Sequence, residues 1–430
     1  MPIQSATSRY LLRYWLFIIY AIGVPGFVKF DATGNTHDFG VFNRQSIADI
    51  ALTLSCLALL FYLTAISHRN VSLRPVRFGR TPWLLLLGLL VVTSLASPND
   101  NVSISVYRMC EWVLGYILLV SAYSGAPILE APHVAREMIA AICWACLAIV
   151  WLALPFFPSL AFSVPVESTG VVQFRLGGYL IHPNGLGVVA GIAFWHAFLF
   201  RRSVTRIALC SVALVSLLLT YSRGAWAGFA LSIIAYVVVS RRSRVRIMGV
   251  VGLITGIATF LVFSGPVVRL LERGEGQQNL RTLSDRALVW SAAVKAISAR
   301  PLLGYGYIDG VKHVLPQFTS VSYWSPMHCH NELLQALASG GSLAGLLVLW
   351  VYIVGFLNSY RSAKSTLSGR FMFLSVIQLI VFATLTPLLM KPYSQLGAIL
   401  LICLVASSDA RKVSAEYSVY MYQQALPVAS

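Results

Sequence analysis

The sequence has few charged residues for its length. Of its 430 residues, 11% are Asp, Glu, Lys or Arg, whereas 57% are hydrophobic and the mean hydropathy is +0.75. An ordinary soluble domain is about a quarter charged. Because so few polar groups cannot cover a water-exposed surface, most of the chain must face lipid. The composition therefore excludes soluble enzymes, nucleic-acid-binding domains and disordered scaffolds.

Several chemical motifs are also missing. No Asp-x-Asp pair stands in a segment that we expect outside the membrane, which argues against metal-dependent glycosyl transfer, and no Gly-x-x-x-x-Gly-Lys loop indicates ATP use. The seven cysteines are scattered, and Cys143-x-x-Cys146 lies inside an apolar run with no second pair. We therefore expect these cysteines to be structural, and we expect neither a metal nor another cofactor.

Continuous apolar runs dominate the chain. A membrane helix needs about 20 apolar residues, and the sequence contains twelve candidate runs. They centre on residues 12–28, 46–66, 82–97, 105–124, 136–157, 183–200, 205–221, 224–240, 246–264, 329–357, 371–390 and 393–408. The pattern predicts an all-α polytopic membrane protein with about twelve transmembrane helices.

The distribution of Lys and Arg predicts the orientation of these helices. Most of the basic residues fall in alternate short loops, which the positive-inside rule assigns to the cytoplasm together with both termini. The expected organisation is then nine spans in 1–264, a large periplasmic loop domain in 265–328, three spans in 329–408 and a cytoplasmic tail in 409–430. The chain is expected to be a multi-pass protein of a bacterial inner membrane.

The loop 265–328 departs from this charge distribution. It carries seven basic and four acidic residues, a net charge of +3 on the outer face. Within it, Ser284 is a suitable N-cap and Pro301 ends a helical stretch. The apolar stripe of this predicted helix consists of Leu288, Val289, Trp290, Ala293, Val294 and Ile297. We expect an interfacial helix with Arg286 at its start. The alternative is a packing helix whose cations contact lipid phosphates.

A histidine pair stands where the tenth predicted span begins. His328 and His330 flank Cys329, and Asn331 follows. Ionisable groups at a membrane boundary are functional candidates. A metal site is conceivable, but alternating side-chain directions and the absence of a carboxylate cluster nearby argue against it. A neutral imidazole acting as a proton acceptor fits better, because its unperturbed pKa lies near ambient pH.

Further cations are expected in the same outer layer. Arg223 stands in the tight turn between the seventh and eighth spans, Arg175 and His182 precede the sixth span, and Lys391 lies in the last outer turn. Several cations without matching acids predict a pocket for an anion, such as a diphosphate bound by arginine. The alternative for Arg223 is interfacial snorkelling. For Arg175 and His182, a structural role is an equal alternative.

Together these residues resemble the O-antigen ligase family of Gram-negative inner membranes. His330-Asn331, nine further residues and then Gly341-Ser-Leu-Ala-Gly345 match the characteristic stretch of that family. The Ser222-Arg223-Gly224 turn, Arg286-x-x-x-Trp290 and Pro301-Leu-Leu-Gly304-Tyr-Gly306 are similar too. The resemblance covers roughly residues 170–350 and selects His330 over His328 as the functional histidine.

The resemblance implies a GT-C-like glycosyltransferase architecture and a transferase that works at the periplasmic face without metal. The donor would be a polysaccharide on undecaprenyl diphosphate, and the acceptor would be a sugar hydroxyl of the lipid A–core oligosaccharide. His330 would be the catalytic base in an inverting displacement. Substrate binding would fall to Arg223, Arg286, Arg175, Asn331 and Lys391. The partners would be these two lipids and the membrane, with no nucleic acid.

Three alternatives stay open from the sequence. An O-antigen polymerase or a protein O-oligosaccharyltransferase would use the same donor with a different acceptor. A transporter or flippase of lipid-linked glycans would also have about twelve spans. Transport, however, predicts ionisable residues near the bilayer midplane and broken helices in repeated halves. Glu111 and Asp49 stand near the ends of their spans, and no internal repeat is evident.

Overall fold

A computed structural model describes most of the helical part of the chain. The described residues are 17–19, 21, 55, 58–59, 80–97, 102–124, 131–163, 174–178, 180–240, 243–244, 246–249, 251–252, 255, 286–307, 309–319, 328–390 and 394–407. The predicted spans 12–28, 46–66 and 246–264 lie largely outside these residues. Lys391, Ser284, most of the first half of the predicted loop domain and the tail 409–430 also lie outside them.

The described residues form helices almost throughout. In chain order they are α1 (Arg80–Ala96), α2 (Val102–Ser124), α3 (Ala131–Ala153), α4 (Pro158–Ala161), α5 (Pro183–Phe200), α6 (Ser203–Leu219), α7 (Arg223–Val239), α8 (Arg286–Ala299), α9 (Asp309–Val314), α10 (Glu332–Ala363), α11 (Leu367–Ala383) and α12 (Gln395–Ser407). A 3₁₀ turn, Leu315–Phe318, follows α9. Strands β1 (Phe162–Ser163) and β2 (Arg175–Leu176) pair antiparallel, with Phe162 opposite Leu176.

Three of these helices are long and apolar enough to cross a membrane: Pro132–Ala153, Pro183–Phe200 and Glu332–Ala363. Shorter apolar helices cover Leu85–Ala96, Ser203–Leu219, Arg223–Val239, Leu367–Ala383 and Gln395–Ser407. The chain is thus an all-α integral membrane protein. The number of twelve spans stays a prediction.

Helix α11 lies at the centre of the bundle and packs against α5, α7 and α10. Two glycines allow this close packing. A Cβ atom on Gly191 of α5 would collide with the Gln378 side chain, and one on Gly228 of α7 would lie 3.3 Å from the Gln378 backbone. Helix α5 also packs on α3 and α6, and α1 packs on α10.

Capping side chains define where several helices begin. Ser222 accepts a hydrogen bond from Ala225 N at the start of α7, and Thr366 accepts one from Gly369 N at the start of α11. Hydroxyl side chains at this position satisfy one of the backbone N–H groups that the first turn of a helix leaves open. The loops between α5, α6 and α7 are short, so these neighbouring helices run antiparallel.

A helix is present at the predicted place as α8, which runs from Arg286 to Ala299 and ends before Pro301. Its position at a membrane interface stays a prediction. Its buried face, however, consists of Val289, Ala292, Ala293 and Ala296. Of the predicted apolar stripe, Val289 and Ala293 are thus buried, whereas Leu288 and Val294 are exposed. The small alanine side chains let α8 lie close to α10 and to the 3₁₀ turn, and this close packing selects the face.

Helix α10 is broken one third of the way along. Gly340 and Gly341 have non-helical backbone angles, and Gly341 has a φ of +69°. The freed carbonyls accept hydrogen bonds from the segment after α8: Tyr305 N donates to Ala338 O at 2.8 Å, and Gly306 N donates to Ser339 O at 2.9 Å. The glycine pair at the end of the His-Asn stretch and the Pro301–Gly306 segment thus form one structural unit.

Candidate active site

His330 lies in a tight turn just before α10. Its φ is +48°, a left-handed conformation that non-glycine residues adopt rarely and that recurs at functional sites. The backbone N–H of His330 donates to Nδ1 of His328 at 3.2 Å, and the two rings lie 4.1 Å apart between their centroids. Both histidines are half-buried. His328 therefore contributes to holding the turn that presents His330.

Cys329 attaches this turn to a buried apolar cluster. Its side chain is fully buried against Val289 and Ala293 of α8, and burial holds the pKa of the Cys329 thiol well above its ordinary value. The Cys329 N–H donates to Gln335 Oε1 at 2.9 Å. A buried, protonated thiol is not a nucleophile. Cys329 is therefore structural, as we expected for the cysteines.

Asn331 is the N-cap of α10. Its Oδ1 accepts from Leu334 N at 3.0 Å, and its Nδ2 donates to Thr384 O, at the end of α11, at 3.1 Å. These two bonds link the start of α10 to the end of α11. Both contacts of the Asn331 side-chain amide are thus with backbone atoms. The substrate-binding role of Asn331 stays a prediction.

Arg223 is the first residue of α7, after a second left-handed non-glycine residue, Tyr221, with a φ of +48°. Gly187 of α5 lets this turn approach closely, because a Cβ there would lie 2.8 Å from Thr220 Oγ1 and 2.8 Å from Ala225 Cβ. The Nη1 atom of Arg223 is buried. The turn therefore holds a cation at the end of a packed bundle.

Arg286, the first residue of α8, lies beside Arg223. Burial, and then the positive charge of Arg223, lower the pKa of Arg286. No acidic side chain among the described residues forms an ion pair with Arg286. Two neighbouring guanidinium groups repel each other unless an anion lies between them. The fold thus brings together two predicted diphosphate ligands that are far apart in the sequence.

Arg175, at the start of β2, is tied to the same end of the bundle. Its Nε donates to Thr220 O at 3.0 Å, and its Nη2 donates to Asn184 Oδ1 at 2.7 Å. His182 caps α5 by accepting from Asn184 N at 3.2 Å. Arg175 therefore links the α6–α7 turn to the start of α5, directly behind Arg223. Its predicted role in substrate binding is untested by these contacts.

One important residue was missed by our sequence reasoning. Glu332 is only 4% exposed, and its carboxylate accepts from three successive backbone N–H groups: Leu388 N, Leu389 N at 2.9 Å and Met390 N at 2.8 Å. Tyr352 OH also donates to Glu332 Oε2 at 3.2 Å. The position of Glu332 directly after His330-Asn331 was a signal in the sequence that this residue belongs to the site. The partner turn, 56 residues and more away, was not readable from the sequence.

These contacts gather most of the predicted site residues at one end of the bundle. Asn331 bonds to Thr384, the next residue Leu385 lies against Gly224, and Arg223 neighbours Arg286. Lys391 lies outside the described residues, although Glu332 holds the turn just before it. Within the described ranges, no three His, Cys, Asp or Glu side chains are grouped closely enough to hold a metal ion.

The fold and this site define a membrane-integral helical protein with paired arginines and a histidine at one end of its bundle. Residues 207–349, about a third of the chain, match the family model described as O-antigen ligase. This match confirms, over that segment, the resemblance to the O-antigen ligase superfamily. The match includes Arg223, Arg286, His330 and Asn331. No curated protein matches the chain.

The family implies a glycosyltransferase-like enzyme of the ligase or polymerase type that acts on a lipid-linked polysaccharide. The family match supports a role in lipopolysaccharide biosynthesis, and the apolar helices support a place in a membrane. The match does not separate ligase from polymerase. That distinction depends on the acceptor.

Proposed function

We propose that this protein is an O-antigen ligase. It transfers a polysaccharide from undecaprenyl diphosphate to a sugar hydroxyl of lipid A–core at the periplasmic face of the inner membrane. The observation that carries the proposal is the neighbouring Arg223–Arg286 pair at the same end of the bundle as His330. In this arrangement 265–328 is the periplasmic domain between the spans of 1–264 and those of 329–408, and 409–430 is cytoplasmic.

The paired arginines bind the diphosphate of the donor. Arginine suits this ligand because its planar fork forms two parallel hydrogen bonds to phosphate oxygens. A diphosphate also relieves the repulsion between the two guanidinium groups. Trp290 lies one helical turn from Arg286, and its buried Nε1–H has no hydrogen-bond partner among the described residues. This indole N–H is a further donor for the same ligand. Lys391 would add another cation.

The reaction is a direct displacement at the anomeric carbon. The acceptor oxygen forms the new glycosidic bond while the bond between the anomeric carbon and the diphosphate oxygen breaks, and the electron pair leaves with the diphosphate. Arg223 and Arg286 stabilise this developing charge. His330 takes the proton of the attacking hydroxyl, and one displacement inverts the anomeric centre. General-base help contributes typically ~10²–10⁴-fold, so charge stabilisation and positioning must supply the rest.

The first test is a lipopolysaccharide gel. A ligase-deficient host that makes a matching core and O-antigen receives the wild-type gene, the His330→Ala form or the His330→Asn form. Asparagine tolerates the left-handed backbone at this position, so it preserves the turn while removing the imidazole base. We expect wild type to restore the long-chain ladder and both variants to lose it at normal protein levels.

The outcomes separate the proposals. Ligation by His330→Asn at the wild-type rate would show that His330 is not the proton acceptor. A wild type that restores nothing here, but converts core-plus-one-unit into a ladder in a polymerase-deficient host, would be a polymerase. In that case the proposed acceptor is wrong, and the proposed diphosphate site is unaffected.

A further inference from the structure

A cavity of about 330 Å³ lies between the end of α1 and the segment that follows α8. Its volume is at the lower end of the roughly 300–1,000 Å³ that ligand pockets occupy. It is lined by Thr93, Ala96, Arg300, Pro301, Leu302, Leu303 and Gly304. None of these residues belongs to the diphosphate site, so the cavity is a separate feature.

The lining is apolar and partly open to the surroundings. Leu302 is 73% exposed and Leu303 is 56% exposed. Two adjacent leucines at the edge of a cavity are costly in water but are well matched by a hydrocarbon chain. Helix α1 is itself apolar, so this surface is compatible with a hydrocarbon environment. The walls therefore suit an acyl chain.

A cation stands at the mouth of the cavity. Arg300 is exposed, and its guanidinium lies 5.3 Å from the centroid of the Tyr305 ring. That ring is held in place, since Tyr305 OH donates to Ala296 O at 3.0 Å. No acidic side chain among the described residues pairs with Arg300. An apolar cavity with an oriented arginine at its edge is complementary to a lipid that carries a phosphate.

The same segment connects this cavity to the proposed active site. After the lining residues, Tyr305 and Gly306 bond to the break in α10, and Tyr307 N donates to Ser94 Oγ of α1 at 2.9 Å. Tyr307 OH then donates to Met390 O at 2.8 Å, in the turn that Glu332 holds. A molecule bound in the cavity would thus lie beside a chain of contacts that ends at Glu332, the first residue of α10 and two residues after His330.

We propose that the cavity binds the lipid part of the acceptor, a phosphorylated glycolipid. The inference rests on the proposed function, because it assumes that the acceptor is lipid A–core. An acyl chain lies against Leu302 and Leu303, and Arg300 binds a phosphate of the same molecule. Anchoring there fixes the depth of the acceptor in the membrane, so that its sugars extend toward His330.

The test uses the full-length protein in vesicles, with transfer measured at varied acceptor concentration. Arg300→Gln removes the phosphate ligand, and Ala96→Phe fills the cavity. We expect each variant to raise the KM for the acceptor about tenfold or more, as the loss of a charge-assisted hydrogen bond does, while kcat and the KM for the donor stay near wild type. Arg202→Gln, an exposed arginine before α6, and Leu95→Phe, an exposed neighbour of Ala96, are the matched controls.

A second measurement counts the lipids bound to the same variants by native mass spectrometry, with lipid A–core or phosphatidylglycerol offered. An unchanged acceptor KM in both variants overturns the proposal. If the variants lose phosphatidylglycerol and retain lipid A–core, the cavity holds bulk phospholipid and the proposal is also wrong. A wild type that forms no ligated product contradicts the proposed function itself. In that case, the binding of lipid A–core to wild type and variants, measured by native mass spectrometry, still tests whether the cavity binds this lipid.

Discussion

Individual side chains at the site have two kinds of role. Asn331 and Arg175 bond to backbone atoms of neighbouring turns, so their described contacts hold the framework. Arg223 and Arg286 instead place two cations side by side. This difference predicts that the two groups will respond differently to conservative substitution.

Arg223 is expected to be sensitive even to lysine. Arg223→Ala should lower kcat/KM for the donor roughly 100-fold or more, the typical cost of removing a group that stabilises developing charge. Arg223→Lys should recover only part of this loss, because a point charge lacks the bidentate fork. The measurement is the transfer rate at varied donor concentration, with Arg202→Ala as the control for a general loss of charge. Full activity of Arg223→Ala would remove this residue from the diphosphate site.

Glu332 is expected to act through the turn 388–390. Glu332→Ala leaves three buried N–H groups without their acceptor, at about 1–3 kcal/mol each, so we expect low yields of folded protein. Glu332→Gln keeps one acceptor oxygen and should fold with a reduced kcat. Tyr352→Phe removes one hydroxyl bond and should cost only about 1 kcal/mol.

The readouts for these variants are the thermal midpoint in detergent and the transfer rate. A Glu332→Gln protein with the wild-type midpoint and the wild-type kcat would mean that the turn does not depend on this carboxylate.

Among the helices, the break in α10 decides how the segment after α8 meets the bundle. Gly341 has a positive φ, and the Leu302 carbonyl lies where a Cβ would stand. The break also frees Ala338 O and Ser339 O for Tyr305 N and Gly306 N. A continuous helix would keep those carbonyls for itself and would exclude the segment Pro301–Gly306.

Gly341→Ala is therefore expected to be strongly destabilising. The substitution combines a strained backbone with a collision, and the cost should exceed 1 kcal/mol. Gly88→Ala in α1 is the matched control: its Cβ would meet nothing within 4 Å, so the helix should gain roughly 0.5–1 kcal/mol. Thermal midpoints of the two purified variants give the comparison. Equal midpoints would contradict the structural role of the break.

For the molecule as a whole, the two ends of the bundle differ in charge chemistry. At one end lie Arg175, Arg223, Arg286 and His330, where the described carboxylate of Glu332 is already bonded to backbone N–H groups. At the other end, Glu137 forms an ion pair with Arg136 at 2.6 Å. The two ends thus present different side chains, and the arginine-containing end is the one that we propose to bind the lipid diphosphate.

The sequence by itself determined the class of protein and predicted candidate site residues, although it did not single out Glu332. Scarce charge and long apolar runs require helices in lipid, since backbone groups in a bilayer must be satisfied within each segment. The His330-Asn331 stretch and the Ser222-Arg223-Gly224 turn were readable because their residues are adjacent in the chain. The helix α8 and its end before Pro301 were predictable too, whereas the predicted cap Ser284 lies outside the described residues.

Only the tertiary structure decided which of these residues meet. Three contacts join segments that are distant in the chain. Arg223 lies near Arg286, Glu332 accepts hydrogen bonds from the turn 388–390, and Pro301–Gly306 packs on the break in α10. The exposed positions Leu288 and Val294 show the same limit, because the packing partner of α8 selected its buried face. Local patterns indicate what a segment can form, but long-range packing determines which surfaces it contacts.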